Sequence, residues 1–303
     1  MKAMRFDRFG TTAELHLEDI EVPQPGPGQV RIEVRAAGVN ALDGKIRSGI
    51  MSGAITTLLP STPGFEVAGT VDAIGDDVHD IVVGDQVFGW SDTGSYAEYA
   101  LASSSSVAIK PADLSWEQAV AIPIASATAE RVLDLLEVAA GETVLLHGAS
   151  GAVGTIAIQL AKARGARVIA TAGPANQDYI TSLGAVATVY GEGLVDRVRA
   201  LAPDGVDAVF DLAGKGALED SIALRGGTER IATIADFGAR ELGIPFVSGP
   251  TPRSPTRLRE LARDATAGTL ATTVTTYQLE QAAAAQDASD AGHSRGKLAL
   301  TIE

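Results

Sequence analysis

The chain of 303 residues has 24 basic and 38 acidic side chains, and its net charge of −14 argues against nucleic acid or an anionic membrane as the main partner. It contains no cysteine, which excludes disulfides, thiolate nucleophiles and cysteine-ligated zinc. The length is sufficient for two domains with separate cores. Because the first residues lack the apolar stretch of a signal peptide and no apolar run reaches the roughly 18 residues of a membrane span, we expect a cytoplasmic protein.

The first third of the sequence is predicted to consist of short β-strands. Five segments show the strand pattern, namely residues 15–20, 29–36, 65–74, 85–88 and 95–101. The segment 23–28, rich in Pro and Gly, is a turn that cannot continue a ladder. Many short strands interrupted by Gly and Pro predict a compact barrel-like or sandwich domain.

From Ser115 onward the pattern changes to helices and buried strands. Ser115 and Gln118 have the spacing of a capping box, and a helical region follows, with apolar residues at helical spacing in 130–137. Strands are then predicted at 144–147, 167–171, 186–189, 206–211, 229–234 and 244–247, and helices at 155–164, 177–183, 194–201, 216–224 and 257–267. This alternation predicts an α/β fold with a doubly wound parallel sheet, whose ligand lies beyond the carboxyl ends of the strands.

The residues after Gly268 are predicted to form a strand at 272–276, a helix at 279–288 and a strand at 298–302. These elements have no partner of their own, so we expect them to return to the N-terminal region. The expected domains are therefore a discontinuous β-rich domain, residues 1–122 and 269–303, and a dinucleotide-binding domain, residues 123–268.

A glycine-rich turn after the strand at 144–147 predicts a dinucleotide site. Gly148, Gly151 and Gly154 recur at three-residue spacing, and a helical pattern follows them. Glycine permits the positive φ of a tight turn, and the helix directs unpaired N–H groups at an anion, which we expect to be a pyrophosphate. The alternatives are glycines that serve helix packing alone, and an esterase with Ser150 as nucleophile, although Ala152 replaces the second glycine of that motif.

The residues after the next strand bear on the choice between NAD and NADP. A carboxylate that binds the ribose hydroxyls of NAD is expected about 20 residues beyond the glycines. The segment 171–177 contains neither an acidic nor a basic residue. We therefore expect NADP, with NAD as the second option.

The four histidines do not have the spacing of a metal site. His16, His79, His147 and His293 lie far apart in the sequence. His147 stands beside the glycines, where it either lines the site or belongs to the end of the strand.

Six segments spread over the chain carry motifs: AAGVNALD at 36–43, PGFEVAGTV at 63–71, GDQVFG at 84–89, GSYAEY at 94–99, HGASGAVG at 147–154 and GHSRGKLAL at 292–300. In sequence and order these resemble the zinc-free quinone oxidoreductase branch of the medium-chain dehydrogenase/reductase superfamily, the ζ-crystallin-like proteins. The resemblance implies a GroES-like catalytic domain, a Rossmann domain and hydride transfer from NADPH to a quinone or an α,β-unsaturated carbonyl compound. It also implies a small-molecule substrate and a homodimer joined edge to edge near residues 244–247.

The resemblance implies catalytic roles for Asn40, Asp43 and Thr128. In zinc-dependent relatives a Cys stands at the position of Asn40 and a His at that of Phe65, so two metal ligands are replaced. Asn40 would then be an amide donor near the nicotinamide, with Asp43 close to it and Thr128 beside the ribose. The structural alternatives are a turn-forming Asn40, a structural Asp43 and a Thr128 that is a small residue opening a helix.

The resemblance further implies a set of cofactor-binding residues: Gly148, Ser150, Gly151, Ala152, Val153, Gly154, Thr171, Asn176, Tyr190, Ala213, Ile234, Ala235, Val247 and Lys297. Asn176 stands where NADPH-using relatives often carry a lysine on the 2′-phosphate, whereas the accompanying tyrosine is kept as Tyr190. Recognition of that phosphate would then rest on neutral donors, and the preference for NADP would be weak. Lys297 would approach the pyrophosphate from the other domain, unless it is a surface lysine.

Hydride transfer of this kind is mainly a positioning task, with a donor for the developing oxyanion and a proton from solvent. One alternative is an enoyl reductase or dehydrogenase of a specific biosynthetic pathway. The other is a sensor that binds NADPH without turnover.

Overall fold

The computed structural model describes residues 1–249, 252–292 and 294–303, so His293 lies outside the described residues. The chain forms two compact units. We call residues 1–124 with 253–303 the β-rich unit, and residues 125–252 the parallel-sheet unit. The segment 253–268, which the strand–helix alternation assigned to the dinucleotide-binding domain, lies in the β-rich unit.

The strands, in chain order, are β1 (Lys2–Arg5), β2 (His16–Asp19), β3 (Gln29–Val39), β4 (Glu66–Ile74), β5 (Gln86–Trp90), β6 (Tyr99–Ser103), β7 (Val107–Ile109), β8 (Thr143–His147), β9 (Arg167–Thr171), β10 (Val186–Thr188), β11 (Ala208–Asp211), β12 (Ile231–Thr233), β13 (Val274–Gln278) and β14 (Lys297–Thr301). The α-helices are α1 (Ala41–Arg47), α2 (Trp116–Ala119), α3 (Pro123–Leu135), α4 (Ala152–Ala163), α5 (Gln177–Ser182), α6 (Leu194–Leu201), α7 (Ala217–Arg225), α8 (Pro255–Thr266) and α9 (Ala282–Ala291).

The β-rich unit is organised around β3, the longest of the described strands. Within the described residues its main sheet has the order β13-β14-β3-β4-β5-β7, with β6 also paired to β3. Over residues 29–36 of β3 half-buried and buried residues alternate, because successive side chains point to opposite faces of a strand, and the last residues of the strand are all buried. The C-terminal strand β14 pairs antiparallel with β3, with Leu298 opposite Val39. This pairing supplies the partner that the last elements lack on their own.

The parallel-sheet unit contains the predicted doubly wound sheet. Its described strands run parallel in the order β10-β9-β8-β11-β12. The order reverses between β8 and β11, and in such sheets the ligand binds beyond the carboxyl ends of the strands at the reversal. The glycine-rich turn follows β8, so it lies at this position.

The predicted strand at 244–247 is wrong, apart from one bridge between Phe246 and Thr233. Thr233 donates to the carbonyl of Pro245 (3.0 Å) and accepts from the amide of Val247 (2.8 Å). Pro245 has no N–H to donate, so the ladder does not extend through it.

The capping box predicted at the start of the helical region is confirmed. The amide of Gln118 donates to Oγ of Ser115 (3.2 Å), and the amide of Ser115 donates to Oε1 of Gln118 (3.5 Å). None of the helices in the described part of the chain is long and apolar enough to cross a membrane.

Candidate active site

The three glycines after β8 each meet a different steric demand. Gly148 has a φ of +69°, and a Cβ there would lie 3.0 Å from the Cβ of Ala213. At Gly154 a Cβ would lie 2.5 Å from the Cα of Ala149, so α4 packs against the turn only without a side chain. At Gly151 no atom lies within 4 Å of a Cβ position. The middle glycine therefore faces open space, where a ligand can approach the backbone.

The first turn of α4 is suited to an anion. Its hydrogen-bond ladder begins with the amide of Thr155, which donates to the carbonyl of Gly151 (2.9 Å). The amides of residues 152–154 therefore have no partner within the helix. Residues 150–153 are partly exposed, and the first turn carries no acidic side chain. Together with the space at Gly151, this arrangement fits the pyrophosphate of a dinucleotide.

Thr171, at the end of β9, holds the glycine-rich turn in place. Its Oγ1 accepts from the amide of Gly148 (3.1 Å), and its carbonyl accepts from the amide of Ala149 (2.9 Å). The side chain is buried beneath the turn. Thr171 therefore acts on the candidate site by fixing the shape of the turn.

A buried pair that the sequence interpretation did not single out shapes two further loops. Asp211 accepts from the amides of Ala213 (2.9 Å) and Gly214 (3.1 Å) through Oδ1, and from the Thr233 hydroxyl (2.6 Å) through Oδ2. Thr233 in turn accepts from the amide of Ala235 (3.0 Å). Both side chains are fully buried. The signal in the sequence is a polar residue at the carboxyl end of each of two predicted strands, followed by small residues.

The loops after β8, β11 and β12 lie against one another. Gly148 approaches Ala213, and a Cβ on Gly214 would lie 2.6 Å from the main-chain carbon of Ala235. The structure therefore brings together the loops in which most of the predicted cofactor residues lie.

Three other predicted residues are placed as follows. The amide of Ile234 donates to the carbonyl of Asp211 (3.1 Å), and that of Val247 to the carbonyl of Thr233 (2.8 Å), so both belong to the same sheet edge. Thr128 is half-buried within α3.

The adenosine end of a bound cofactor is expected at the loops after β9 and β10. Tyr190 is 57% exposed, and its hydroxyl lies 3.7 Å from a Cβ position on Gly173. Asn176 is half-buried at the end of a 3₁₀ turn. Arg197 fixes the loop that carries Tyr190, since its guanidinium donates to three carbonyl groups there. These loops combine neutral donors with an exposed aromatic ring.

His147 belongs to the packing of the sheet against α7. Its Nε2 lies 3.1 Å from Oγ of Ser221, and the ring is fully buried. Burial lowers the pKa of His147, although the charges of Asp211 and Asp220 oppose the change. The structural alternative for this histidine is therefore correct.

The β-rich unit contains a buried ion pair, Lys297 with Glu66, and both side chains are 0% exposed. The Lys297 ammonium also donates to Oδ1 of Asn40 (2.7 Å), and Nδ2 of Asn40 donates to Oε2 of Glu66 (2.9 Å). The other carboxylate oxygen of Glu66 accepts from the amide of Ile124 (2.7 Å). The alternative of Lys297 as a surface lysine is thus wrong.

Asp43 links this ion pair to a buried tyrosine. Its Oδ2 accepts from the backbone amide of Asn40 (2.8 Å) and from the Tyr96 hydroxyl (2.9 Å), whereas Oδ1 is buried without a hydrogen-bond partner among the described residues. Burial raises the pKa of Asp43 to about 7, although the two hydrogen bonds and the charge of Lys297 oppose the rise. Asn40 at the start of α1 is thus held through both its backbone and its side chain.

Sequence reasoning did not single out Glu66 or Tyr96. Both lie within quoted motifs, Glu66 in PGFEVAGTV and Tyr96 in GSYAEY. Only their three-dimensional contacts reveal that they share a cluster with Asn40 and Lys297.

The side chains of this cluster do not fit a zinc ion. Zinc in proteins prefers thiolate, imidazole and carboxylate ligands. Here one carboxylate, Glu66, faces an amide and an ammonium group, and the ammonium of Lys297 would repel a cation. Phe65 packs against the hydrophobic core instead. In the described ranges no group of three His, Cys, Asp or Glu residues is placed to hold a metal.

Comparison with known proteins places both units in one family. Residues 26–112 match the model of the alcohol dehydrogenase GroES-like domain, and residues 152–251 match that of the zinc-binding dehydrogenases. Over 251 residues the chain is 37% identical to the quinone oxidoreductase of Sus scrofa, which covers 80% of this chain and 75% of the relative. The chain belongs to the quinone oxidoreductase branch of the medium-chain dehydrogenase/reductase superfamily.

Other members of the superfamily support the same assignment. The chain is 37% identical over 227 residues to an NADPH-dependent alkenal/one oxidoreductase of Arabidopsis thaliana, covering 71% of this chain and 58% of the relative. Among solved structures, the quinone oxidoreductase of Coxiella burnetii has a TM-score of 0.89 and 32% identity, covering 100% of this chain and 99% of that chain. The Escherichia coli quinone oxidoreductase complexed with NADPH has a TM-score of 0.88 and 26% identity, covering 99% and 100%.

The predicted family and fold class, a Rossmann-type parallel sheet with a GroES-like β-rich part, are therefore confirmed. The protein is an oxidoreductase of a family that acts on small molecules, and its relatives indicate a nicotinamide cofactor.

Proposed function

We propose that the protein is an NADPH-dependent, zinc-independent oxidoreductase that transfers hydride to a quinone or an α,β-unsaturated carbonyl compound. The observation that carries the proposal is the turn after β8, where Gly151 leaves open space next to the first turn of α4, whose amides have no partner within the helix. The names of the similar quinone and alkenal/one oxidoreductases support the acceptor class.

The cofactor supplies the hydride when it is bound, and the residues of this chain bind and orient the reactants. The amides of residues 152–154 hold the pyrophosphate, and Thr171 keeps the turn in the shape that binding requires. Asn40 provides a side-chain amide donor for the acceptor oxygen. The ammonium of Lys297 next to Glu66 would repel a metal cation at this cluster, and we propose a reaction that uses no metal.

The residues expected around the adenosine end of the cofactor favour NADPH, and they also permit NADH. No carboxylate in segment 171–177 repels a 2′-phosphate, and the hydroxyl of Tyr190 with the amide of Asn176 offers neutral donors to it. The absence of a basic residue in that segment makes the preference modest. A cytoplasmic location and a homodimer remain predictions from the sequence and the family.

The proposal is tested by following NADPH oxidation with a panel of quinones, alkenals and enones, while binding of NADPH is measured separately by its fluorescence. Turnover with at least one conjugated acceptor is expected, and added EDTA should leave the rate unchanged. Turnover confined to one enoyl thioester would indicate the enoyl reductase alternative. Binding without turnover on any acceptor would indicate the sensor alternative and would overturn the proposal.

A further inference from the structure

The buried ion pair leaves only one orientation for the side-chain amide of Asn40. A lysine ammonium can only donate hydrogen bonds, and a carboxylate can only accept them. Lys297 therefore requires the oxygen of the amide on its side (2.7 Å), and Glu66 requires the nitrogen (2.9 Å). An amide whose oxygen and nitrogen are otherwise interchangeable is thus fixed by two groups of opposite charge.

One donor of this amide is left over. Nδ2 of Asn40 carries two hydrogens, and Glu66 accepts one of them. Among the described residues no acceptor is bonded to the second. The residue is half-buried, whereas Lys297 and Glu66 are fully buried, so Asn40 is the member of the cluster that a ligand can reach.

From this arrangement we infer that Lys297 and Glu66 are positioning residues, which hold the amide of Asn40 so that its free N–H donates to the acceptor's carbonyl oxygen. The inference rests on the proposed function. Hydride adds to the conjugated carbon of the acceptor, the electron pair of its double bond moves toward the oxygen, and the resulting enolate or hydroquinone anion takes a proton from water. The acceptor is reduced and NADPH is oxidised. A donor preorganised at that oxygen stabilises the negative charge as it develops.

The inference gives Lys297 a different task from the one that the family resemblance implied, which was contact with the pyrophosphate. Its ammonium has no exposed surface and already bonds to Glu66 and Asn40. The two assignments predict changes in different quantities. A residue that orients the amide changes kcat for the acceptor, whereas a residue that contacts the cofactor changes the Kd for NADPH.

The test compares Lys297→Met with a matched control, Lys110→Met. Lys110 is also buried in the β-rich unit, but it donates to the carbonyls of Pro111 (2.9 Å) and Leu114 (2.6 Å), away from Asn40. With 1,4-benzoquinone as acceptor, we expect Lys297→Met to lower kcat at least about tenfold and to change the Kd for NADPH less than twofold. Lys110→Met should lose stability and keep kcat. A raised Kd for NADPH with unchanged kcat in Lys297→Met, or equal losses of kcat in both variants, would overturn the inference.

A second variant covers the case in which Lys297→Met does not fold, because it leaves the Glu66 carboxylate buried and unpaired. Lys297→Met combined with Glu66→Gln removes both charges. Because the amide of Ile124 donates to Oε1 of residue 66, a glutamine there turns its NH2 group toward Asn40, so it no longer requires the nitrogen of Asn40 on its side and kcat should remain low. Restoration of wild-type kcat in this neutral double variant would contradict the inference.

A readout that does not need turnover is the side-chain amide of Asn40 in ¹⁵N NMR spectra. One set of signals is expected in the wild type, and shifted signals are expected in the double variant, because the partners of the Asn40 amide change. Identical signals in both would count against the inference. If the wild type binds NADPH but reduces no acceptor, the proposed function fails, while the NMR comparison still decides whether the ion pair orients the amide.

Discussion

The hydroxyl of Tyr96 donates a hydrogen bond of 2.9 Å to Oδ2 of Asp43, and neither side chain is accessible to solvent. The same carboxylate oxygen accepts from the backbone of Asn40 (2.8 Å), so both bonds favour an ionised Asp43. Burial has the larger effect and raises the pKa of Asp43 to about 7. The charge of nearby Lys297 lowers this pKa and that of Glu66 raises it.

This raised pKa predicts a pH dependence of stability that Asp43→Asn should remove. The unfolded chain loses the proton near pH 3.8, and the folded chain only near pH 7. The stability from this group is therefore fully present below pH 3.8 and is lost as the pH rises through 7, by at most about 4 kcal/mol. Urea unfolding of both proteins at several pH values measures this difference. Parallel pH profiles for wild type and Asp43→Asn would contradict the prediction.

Two glycine substitutions should separate binding from folding. Gly151→Leu places a side chain in open space at a φ of −78°, so we expect the melting temperature to be kept and the Kd for NADPH to rise at least about tenfold. Gly154→Ala places a Cβ 2.5 Å from Ala149 and should lower the free energy of unfolding by about 1–3 kcal/mol. Thermal melts and fluorescence titrations check both. Unimpaired NADPH binding by Gly151→Leu would argue against a pyrophosphate at this turn.

Adding a cation in the loop after β9 should strengthen the preference for NADPH. Asn176→Lys introduces a charge that can pair with a 2′-phosphate, and an exposed pair of this kind contributes about 1 kcal/mol. We expect the Kd for NADPH to fall about fivefold at low salt, with little change for NADH. Asn176→Gln is the neutral control. Equal changes in the Kd for NADPH and for NADH would indicate that the 2′-phosphate does not lie near residue 176.

The ion pair between Glu142 and Arg230 should make the protein sensitive to acid. The guanidinium contacts both carboxylate oxygens (2.7 and 2.8 Å) and lowers the pKa of Glu142 to about 2, well below its ordinary value of 4.5. The contribution is present above pH 4.5 and is lost as the pH falls toward 2. Glu142→Gln should lower the melting temperature at pH 7 and have a smaller effect at pH 3. An equal effect at both pH values would contradict this assignment.

The predicted homodimer can be tested by sedimentation. A single chain has a mass of 31.1 kDa, and a species of twice that mass is expected. Because residues 244–247 contribute a single bridge rather than a strand, edge-to-edge pairing through them would require further ordering on association. Sedimentation as a monomer at micromolar concentration would contradict the prediction of a homodimer.

The sequence was sufficient for features that depend on local chemistry. Short apolar or alternating segments bounded by turns predicted most strands, the spacing of three glycines located the turn after β8, and Ser115 with Gln118 marked the start of the helical region. It was insufficient where one residue interrupts a favourable pattern, as Pro245 does in the predicted strand at 244–247. The strand β1, the strand β7 and the helix α1 were not predicted.

What the sequence determined by itself is the family, the fold class and the position of the glycine-rich turn, because these follow from short-range spacing and from motifs in a fixed order. Only the tertiary structure decided the surroundings of Asn40. Lys297 and Glu66 lie 231 residues apart in the chain, and the pairing of β14 with β3 and of β3 with β4 brings them together. The cost of burying a charge, which forces the two side chains to pair and to fix the amide between them, depends on a three-dimensional environment that no local pattern encodes.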